Sequence, residues 1–122
     1  MVDLKYRELT SEIINSAQTV HTQLGYGFLE KIYHNSLLIE LRKRNILFEE
    51  QEAYTVEYDG NIVGEFFADV VVDRKVIVEL KAVEKLNPLF EAQLLNYLKA
   101  SGIEVGLLIN FGHSLQFKRM VF

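Results

Sequence analysis

The sequence predicts an α+β or mixed α/β fold in which helices pack on a central sheet. Three observations lead to this prediction. Apolar residues recur at helical spacing in two N-terminal segments, three runs of β-branched and aromatic residues follow, and a third helical segment precedes two more such runs. This order of elements is typical of a sheet that buries its faces against helices.

Capping residues mark the ends of three predicted helices, which cover residues 10–24, about 28–44 and about 87–102. Thr10 is the expected N-cap of the first helix, and Gly25 is expected to end it. Asn87 is the expected N-cap of the third helix, because Pro88 after it suits the first helical position. Gly102 then ends that helix.

Five strands are predicted, over residues 48–58, 62–72, 76–83, about 104–110 and about 114–121. Asp59, Gly60 and Asn61 are expected to turn the first strand into the second. The first three strands are therefore expected to be antiparallel neighbours.

The loop between the second and third strands decides which charged residues meet. Even-numbered positions from Ile62 to Ala82 on these two strands carry no charge, so they are expected to form the core face. Val72 then faces Val76 across a three-residue loop, and Asp69 lies opposite Glu79. A two-residue turn would instead place the two acids on opposite faces.

Glu79 and Lys81 are two positions apart on the third strand, so their side chains share a face about 6–7 Å apart. With Asp69 opposite Glu79, two carboxylates and an ammonium group converge on one surface of the sheet. Carboxylate oxygens are the ligands that Mg²⁺ prefers. The pattern therefore predicts a divalent-metal site with a basic residue beside it.

Composition indicates one ordinary globular domain over residues 1–122, with 49% hydrophobic and 25% charged residues. No apolar run is long enough to span a membrane. The absence of cysteine excludes disulfides and thiolate metal sites and fits a cytoplasmic location. A net charge of −4 argues against broad, non-specific coating of nucleic acid, but not against a nuclease, whose acidic cluster contributes to that charge.

Three motifs occur in order along the chain: Gly27-x-x-Glu30-x-x-Tyr33, Asp69 followed by Glu79-Leu80-Lys81, and Gln93-x-x-x-Tyr97. Together they resemble the motifs of the small prokaryotic GxxExxY proteins, which belong to the PD-(D/E)XK nuclease-like superfamily. The resemblance covers about residues 9–121. It departs from the common pattern at Ala68, where the superfamily name has proline, and at Tyr26, where many relatives carry proline.

The resemblance implies a nuclease-like core with a mixed sheet of about four to five strands, and metal-dependent cleavage of phosphodiester bonds. It implies that Mg²⁺ or Mn²⁺ is held by acids or their supports at Glu30, Asp69 and Glu79, with the Leu80 carbonyl as a further oxygen. Lys81 would orient or activate the attacking water, or neutralise charge on the phosphate. Gln93 and Tyr97 would contact the phosphate or hold Lys81. His21 is either a structural residue or, as in some RecB-like enzymes, part of the site.

Other interpretations stay open. Glu30 near a helix N-terminus stabilises the helix dipole whatever its function, and Glu79 with Lys81 would also suit a solvated ion pair. The fold would equally serve an inactive module that binds nucleic acid or protein. A homodimer that builds one substrate groove from two copies is a third hypothesis. The sequence does not distinguish DNA from RNA as the partner.

Overall fold

The computed structural model describes residues 6–122, which form five strands and three helices; residues 1–5 lie outside the described part. The helices are α1 (Arg7–Leu24), α2 (Glu30–Lys43) and α3 (Pro88–Ser101). The strands are β1 (Phe48–Tyr58), β2 (Asn61–Val72), β3 (Val76–Lys81), β4 (Val105–Phe111) and β5 (Leu115–Val121). The predicted fold class is confirmed.

The strands form one sheet in the order β1-β2-β3-β4-β5. β3 and β4 are parallel, and the other neighbouring pairs are antiparallel. A parallel pair needs a long crossover connection, and α3 supplies it. Residues from α1 and α2 bury one face of the sheet around Leu37 and Val78, and α3 buries the other around Leu94 and Ile77. None of the helices in the described residues is long and apolar enough to cross a membrane.

The prediction that Thr10 caps the first helix is wrong, because α1 begins three residues earlier. Tyr6 occupies the N-cap position with a left-handed backbone (φ 56°) and no side-chain capping bond. Thr10 is buried inside the helix, where its hydroxyl donates to the Arg7 carbonyl oxygen at 3.0 Å. Leu9 also packs against the core, which extends the apolar stripe and the helix towards the N-terminus. A threonine hydroxyl suits either position, so the side chain alone did not fix the boundary.

The ends of α3 agree with the sequence. Asn87 is the N-cap, and its Oδ1 accepts a hydrogen bond from the Leu89 N–H at 2.8 Å. Pro88 takes the first helical position, and Gly102 ends the helix with a φ of 79° that favours glycine.

The predicted loop between β2 and β3 is also confirmed. Val72 pairs with Val76 and Val70 pairs with Val78, which leaves three residues, 73–75, in the turn. Asp73 and Arg74 both have positive φ values, 50° and 54°. The paired ladder ends at Val70–Val78, one residue before Asp69 on one strand and Glu79 on the other.

The even-numbered positions of β2 do not all face one core, as the alternation had predicted. Val70 and Val72 pack with α1 and α2. Ala68 instead belongs to the core under α3, and Phe66 stacks on Tyr97 of α3 with ring centroids 4.0 Å apart. The side chains of β2 therefore change faces between Ala68 and Val70.

The neighbouring strand explains this change of face. Gln51 on β1 has a left-handed backbone (φ 53°), and the β1–β2 pairing passes from Glu50–Val70 to Glu52–Ala68 without a partner pair at Gln51 and Asp69. A residue of this conformation interrupts the strict alternation of a strand. Asp69 therefore lies at an irregular point of the sheet rather than within a regular ladder.

Candidate functional site

Two carboxylates replace backbone acceptors where the β2–β3 ladder ends. Asp69 Oδ2 accepts a hydrogen bond from the Leu80 N–H at 2.9 Å. Glu79 Oε2 accepts one from the Asp69 N–H at 2.8 Å. Each acid is thus bonded to the backbone of the opposite strand, which fixes the two carboxylates beside each other.

Glu79 is the most strongly perturbed acid in this cluster. The residue is only 6% exposed. Burial is the main cause that raises the pKa of Glu79 to about 8, and the negative charge of Asp69 is the second. The Asp69 N–H and the Lys81 ammonium oppose this rise but do not cancel it. Near neutral pH the carboxyl of Glu79 is therefore largely protonated when no cation is bound.

Glu30 comes to the same cluster from the other side of the sheet. It is the first residue of α2, after Leu29 at the N-cap position. Partial desolvation of its carboxyl raises the pKa of Glu30, and the charge of Asp69 raises it further. The favourable contact with the helix dipole and the proximity to Asp69 therefore coexist.

Lys81 lies beside these acids without forming an ion pair with any residue in the described range 6–122. Its Nζ is 4.4 Å from the centroid of the Phe90 ring, which is cation–π distance. Its charge lowers the pKa of both Glu30 and Glu79, so the ammonium group is near both carboxyls. The Phe90 contact holds the cation while leaving its N–H donors available.

The three remaining candidate residues differ in where they lie relative to the acids. Burial, then the charges of Glu79 and Asp69, raise the pKa of Tyr97, so its hydroxyl is close to the acids. Gln93 is exposed one turn earlier on α3. His21 does not reach the acids, because its Nε2 is 2.7 Å from the Gly112 carbonyl oxygen and ties α1 to the end of β4.

Residues 7–120 match the sequence model of a family described as the PD-(D/E)XK nuclease superfamily. The chain belongs to this superfamily. Among solved structures, the crystal structure of SSO0001 shares the fold with a TM-score of 0.58 and 20% sequence identity. That match covers 97% of this chain and 60% of SSO0001, so this PD-(D/E)XK domain spans less than two thirds of the longer protein. No curated protein matches the sequence.

The loop before Glu30 in this PD-(D/E)XK domain is held by Tyr33. The side chain is fully buried, and its ring stacks on Phe111 with centroids 4.5 Å apart. Its hydroxyl donates to the Gly25 carbonyl oxygen at 2.6 Å and accepts from the Phe28 N–H at 3.1 Å. One hydroxyl therefore joins the end of α1 to the residues that lead into α2, and so fixes where Glu30 begins its helix.

The Gly-x-x-Glu-x-x-Tyr spacing has a physical explanation in these contacts. Gly27 has a φ of 110°, which strains any residue with a Cβ atom. Glu30 follows at the first helical position, and Tyr33 reaches back from the next turn to the loop. Gly27 allows the loop conformation and Tyr33 holds the loop. Together they place the carboxylate of Glu30 beside Asp69.

Replacing Tyr33 by phenylalanine is expected to lower the free energy of unfolding by about 1–3 kcal/mol, because Gly25 and Phe28 lose a buried hydrogen-bond partner while the ring stays in place. Chemical denaturation measures this change. Tyr58→Phe is the matched control, since Tyr58 is 74% exposed and its loss should change stability by less than about 0.5 kcal/mol. Equal stability of Tyr33→Phe and the wild type would contradict the role of the hydroxyl.

A cleft of about 410 Å³ on the α2 side of the cluster contains residues that the sequence did not single out. It is lined by Glu30, Lys31, His34, Asn35, Glu50, Gln51 and Asp69. His34 Nε2 is 3.3 Å from Glu50 Oε1, and the His34 side chain is only 13% exposed. The four-residue spacing from Glu30 to His34 on one helix face was a usable signal for the histidine. No sequence pattern indicated Glu50, because its position depends on the irregular backbone at Gln51.

The donor set of this PD-(D/E)XK site fits a hard divalent cation of the magnesium type. Within the described part of the chain, Asp69 and Glu79 each use one carboxylate oxygen on the backbone and have no partner for the other. Mg²⁺ commonly takes one or two carboxylates, several waters and substrate phosphate oxygens. Residues 6–122 contain no group of three or more histidine, cysteine or acidic side chains already arranged around a metal position. A cation of this type would therefore be held by these two carboxylates together with water and phosphate oxygens.

Proposed function

We propose that this chain is a divalent-metal-dependent nuclease that hydrolyses phosphodiester bonds in nucleic acid. One observation carries the proposal. Asp69 and Glu79 are fixed side by side where the β2–β3 ladder opens, and beside them lies Lys81, which forms no ion pair within residues 6–122. A clustered set of perturbed acids with a basic neighbour is typical of catalytic sites. Membership of the PD-(D/E)XK nuclease superfamily supports the same reaction class.

Asp69 and Glu79 would hold Mg²⁺ or Mn²⁺, with Glu30 and the Leu80 carbonyl as further oxygens. A bound cation of this kind supplies a more acidic water and stabilises charge on the phosphate. Asp69 stays in position through its bond to the Leu80 N–H, and Glu79 through the Asp69 N–H. Glu79 must release its proton before it contributes a second negative charge, because burial keeps its pKa near 8.

Lys81 would donate a hydrogen bond to the attacking water or to a phosphate oxygen. In the overall reaction, water oxygen bonds to phosphorus, the bond from phosphorus to one ester oxygen breaks, and a proton reaches the leaving oxygen. Tyr97 and Gln93 would contact the phosphate from α3. Cation–π contact with Phe90 restrains Lys81, so less conformational freedom is lost when it binds.

Lys81→Met is expected to slow metal-dependent cleavage about 10- to 1,000-fold, because the charge that stabilises the phosphate is lost while side-chain length is kept. Single- and double-stranded DNA and RNA are incubated with the protein and Mg²⁺ or Mn²⁺, with EDTA as the blank. Lys85→Met is the matched control, since Lys85 is exposed in the segment after β3. Equal cleavage by wild type and Lys81→Met would overturn the role proposed for Lys81.

An inactive module that binds nucleic acid or protein is the second candidate. The observation in its favour is that both acids bond the backbone, which gives them a structural role without turnover. If the protein binds nucleic acid but cleaves none of the tested substrates, the result would favour this module.

We further propose that the chain belongs to the GxxExxY group and acts in the cytoplasm. The positive φ of Gly27 and the bond from the Tyr33 hydroxyl to Gly25 support the first point, and the absence of cysteine supports the second. A homodimer that builds a shared substrate groove remains a hypothesis. Size-exclusion chromatography with light scattering tests it, and a monomer at micromolar concentration would contradict it.

A further inference from the structure

A cavity of about 640 Å³ lies on the α3 side of the sheet, between the distal half of the β1–β2 hairpin and the C-terminal half of α3. Its volume is within the range of roughly 300–1,000 Å³ that is typical of ligand sites. Thr55 and Glu57 of β1 line one side, and Asn96 and Lys99 of α3 line the other. Among the residues that line this cavity, the proposed cleavage reaction uses Tyr97 alone.

The acid cluster lies near one end of this cavity, although none of its carboxylates lines it. Phe66 and Tyr97 line its inner end, and their rings stack with centroids 4.0 Å apart. Phe66 is three residues before Asp69 on β2, at the point where the strand changes faces. Burial, then the charges of Glu79 and Asp69, raise the pKa of Tyr97, so this end of the cavity lies near the proposed reaction centre.

The chemistry of the lining suits a nucleotide. Lys99 is exposed and forms no ion pair with any described residue, so its charge is available to a phosphate group. Asn96 and Thr55 offer hydrogen-bond donors and acceptors of the kind that contact sugars and base edges. Phe66 stacks on both Tyr54 and Tyr97, so Tyr97 is the aromatic lining residue that offers ring surface to a base or sugar. Glu57 is the one unfavourable group among these residues, because its carboxylate repels phosphate.

We propose that this cavity binds one unpaired nucleotide of the substrate strand, next to the phosphate at the acid cluster, and so selects single-stranded or frayed nucleic acid. The inference rests on the proposed function, because the acid cluster defines which phosphate is cut. A base in an intact duplex would first have to leave its stack, which costs a few kcal/mol. An unpaired nucleotide enters without that cost.

The test measures binding without catalysis, by fluorescence anisotropy of a labelled single-stranded oligonucleotide of about ten nucleotides in EDTA. Lys99→Ala is expected to weaken binding about threefold to tenfold and to reduce the dependence of log Kd on log salt by about one ion. Glu57→Gln is expected to tighten binding, because a repulsive charge is removed. Lys43→Ala, on the surface of α2, is the matched lysine control and should leave Kd unchanged.

A second variant tests the cavity itself. Ala100 lines the cavity at an exposed position of α3, so Ala100→Trp fills the space without disturbing the core. It is expected to weaken single-strand binding at least tenfold. The wild type is also expected to bind the single strand more tightly than a blunt duplex of the same sequence.

The outcomes separate this inference from the proposed function. Loss of binding in Ala100→Trp, with no cleavage by any form of the protein, would support the cavity and overturn the nuclease proposal. Metal-dependent cleavage with unchanged binding in Ala100→Trp and Lys99→Ala would overturn the cavity and keep the nuclease. Tighter binding of duplex than of single strand would overturn the inference. A doubled mass in light scattering, from a dimer in which a second copy fills the cavity, would also overturn it.

Discussion

Asp69→Asn is expected to reduce metal-dependent cleavage by at least about 100-fold while the protein stays folded. The asparagine Oδ1 can still accept the hydrogen bond from the Leu80 N–H, so the β2–β3 junction is kept. The variant loses the negative charge that would bind the cation. A bound cation stabilises charge in the transition state by several kcal/mol. Each 1.36 kcal/mol of barrier corresponds to about a tenfold change in rate.

Two measurements check this prediction together. Single-turnover cleavage gives the rate, and calorimetric titration of Mn²⁺ or Mg²⁺ gives the affinity of the cation. Because Mg²⁺ gains ligands from phosphate, the titration is repeated with a short oligonucleotide present. Asp73→Asn is the matched control, since Asp73 lies in the β2–β3 turn and pairs with Lys75 at 3.2 Å, away from the cluster.

Each result has a definite meaning. Cation binding to the wild type that disappears in Asp69→Asn, but not in Asp73→Asn, would establish the metal site. Unchanged affinity and unchanged cleavage in Asp69→Asn would overturn the proposed role of this acid. Absence of cation binding with and without oligonucleotide would favour the inactive module, in which the two acids serve only to close the end of the ladder.

The fold could be predicted from the sequence because its signals are local. Asn87 with Pro88 and Gly102 set the limits of α3 within one turn of the helix. The valines that flank the β2–β3 turn set the register, and that register places Asp69 near Glu79. Thr10 shows the limit of such signals, because its hydroxyl bonds inside α1 as readily as at a cap.

The surroundings of the acids depend on contacts between distant segments and could not be predicted in the same way. The change of face at Asp69 follows from the left-handed backbone of Gln51 on the neighbouring strand, at a residue type for which that conformation is uncommon. The cleft that contains His34 and Glu50 lies where residues of α2 meet this irregular point. Likewise, the spacing of Tyr33 from Glu30 was visible in the sequence, but not the two backbone groups that its hydroxyl joins.

Glu79→Gln is expected to make the metal-free protein more stable than the wild type at alkaline pH, although it removes a proposed ligand. Burial and Asp69 raise the pKa of Glu79 from an ordinary value of 4.5 to about 8 in the folded chain. The folded state therefore binds this proton more tightly than the unfolded state does. Stability from this group is fully present below about pH 4.5 and is lost as pH rises towards about 8.

The variant removes this dependence on pH. Glutamine resembles the protonated acid, and its Oε1 can accept the hydrogen bond from the Asp69 N–H. Unfolding by denaturant in EDTA should therefore give similar stability for both proteins near pH 5. At about pH 8.5 the variant should be more stable by a few kcal/mol, since one pKa unit corresponds to about 1.4 kcal/mol. Glu84→Gln, at an exposed position after β3, is the control and should follow the wild type at both pH values.

Addition of Mn²⁺ at the higher pH should reverse the order of stability. A cation that binds only the folded state stabilises it according to its concentration and affinity, and it would pair with the charge that burial disfavours. The wild type should gain stability and Glu79→Gln should not. A variant that is less stable than the wild type at both pH values without metal would show that the carboxylate stabilises the fold. A variant that is more stable than the wild type at alkaline pH without metal would mean that the chain keeps a destabilising buried acid because its chemistry requires one.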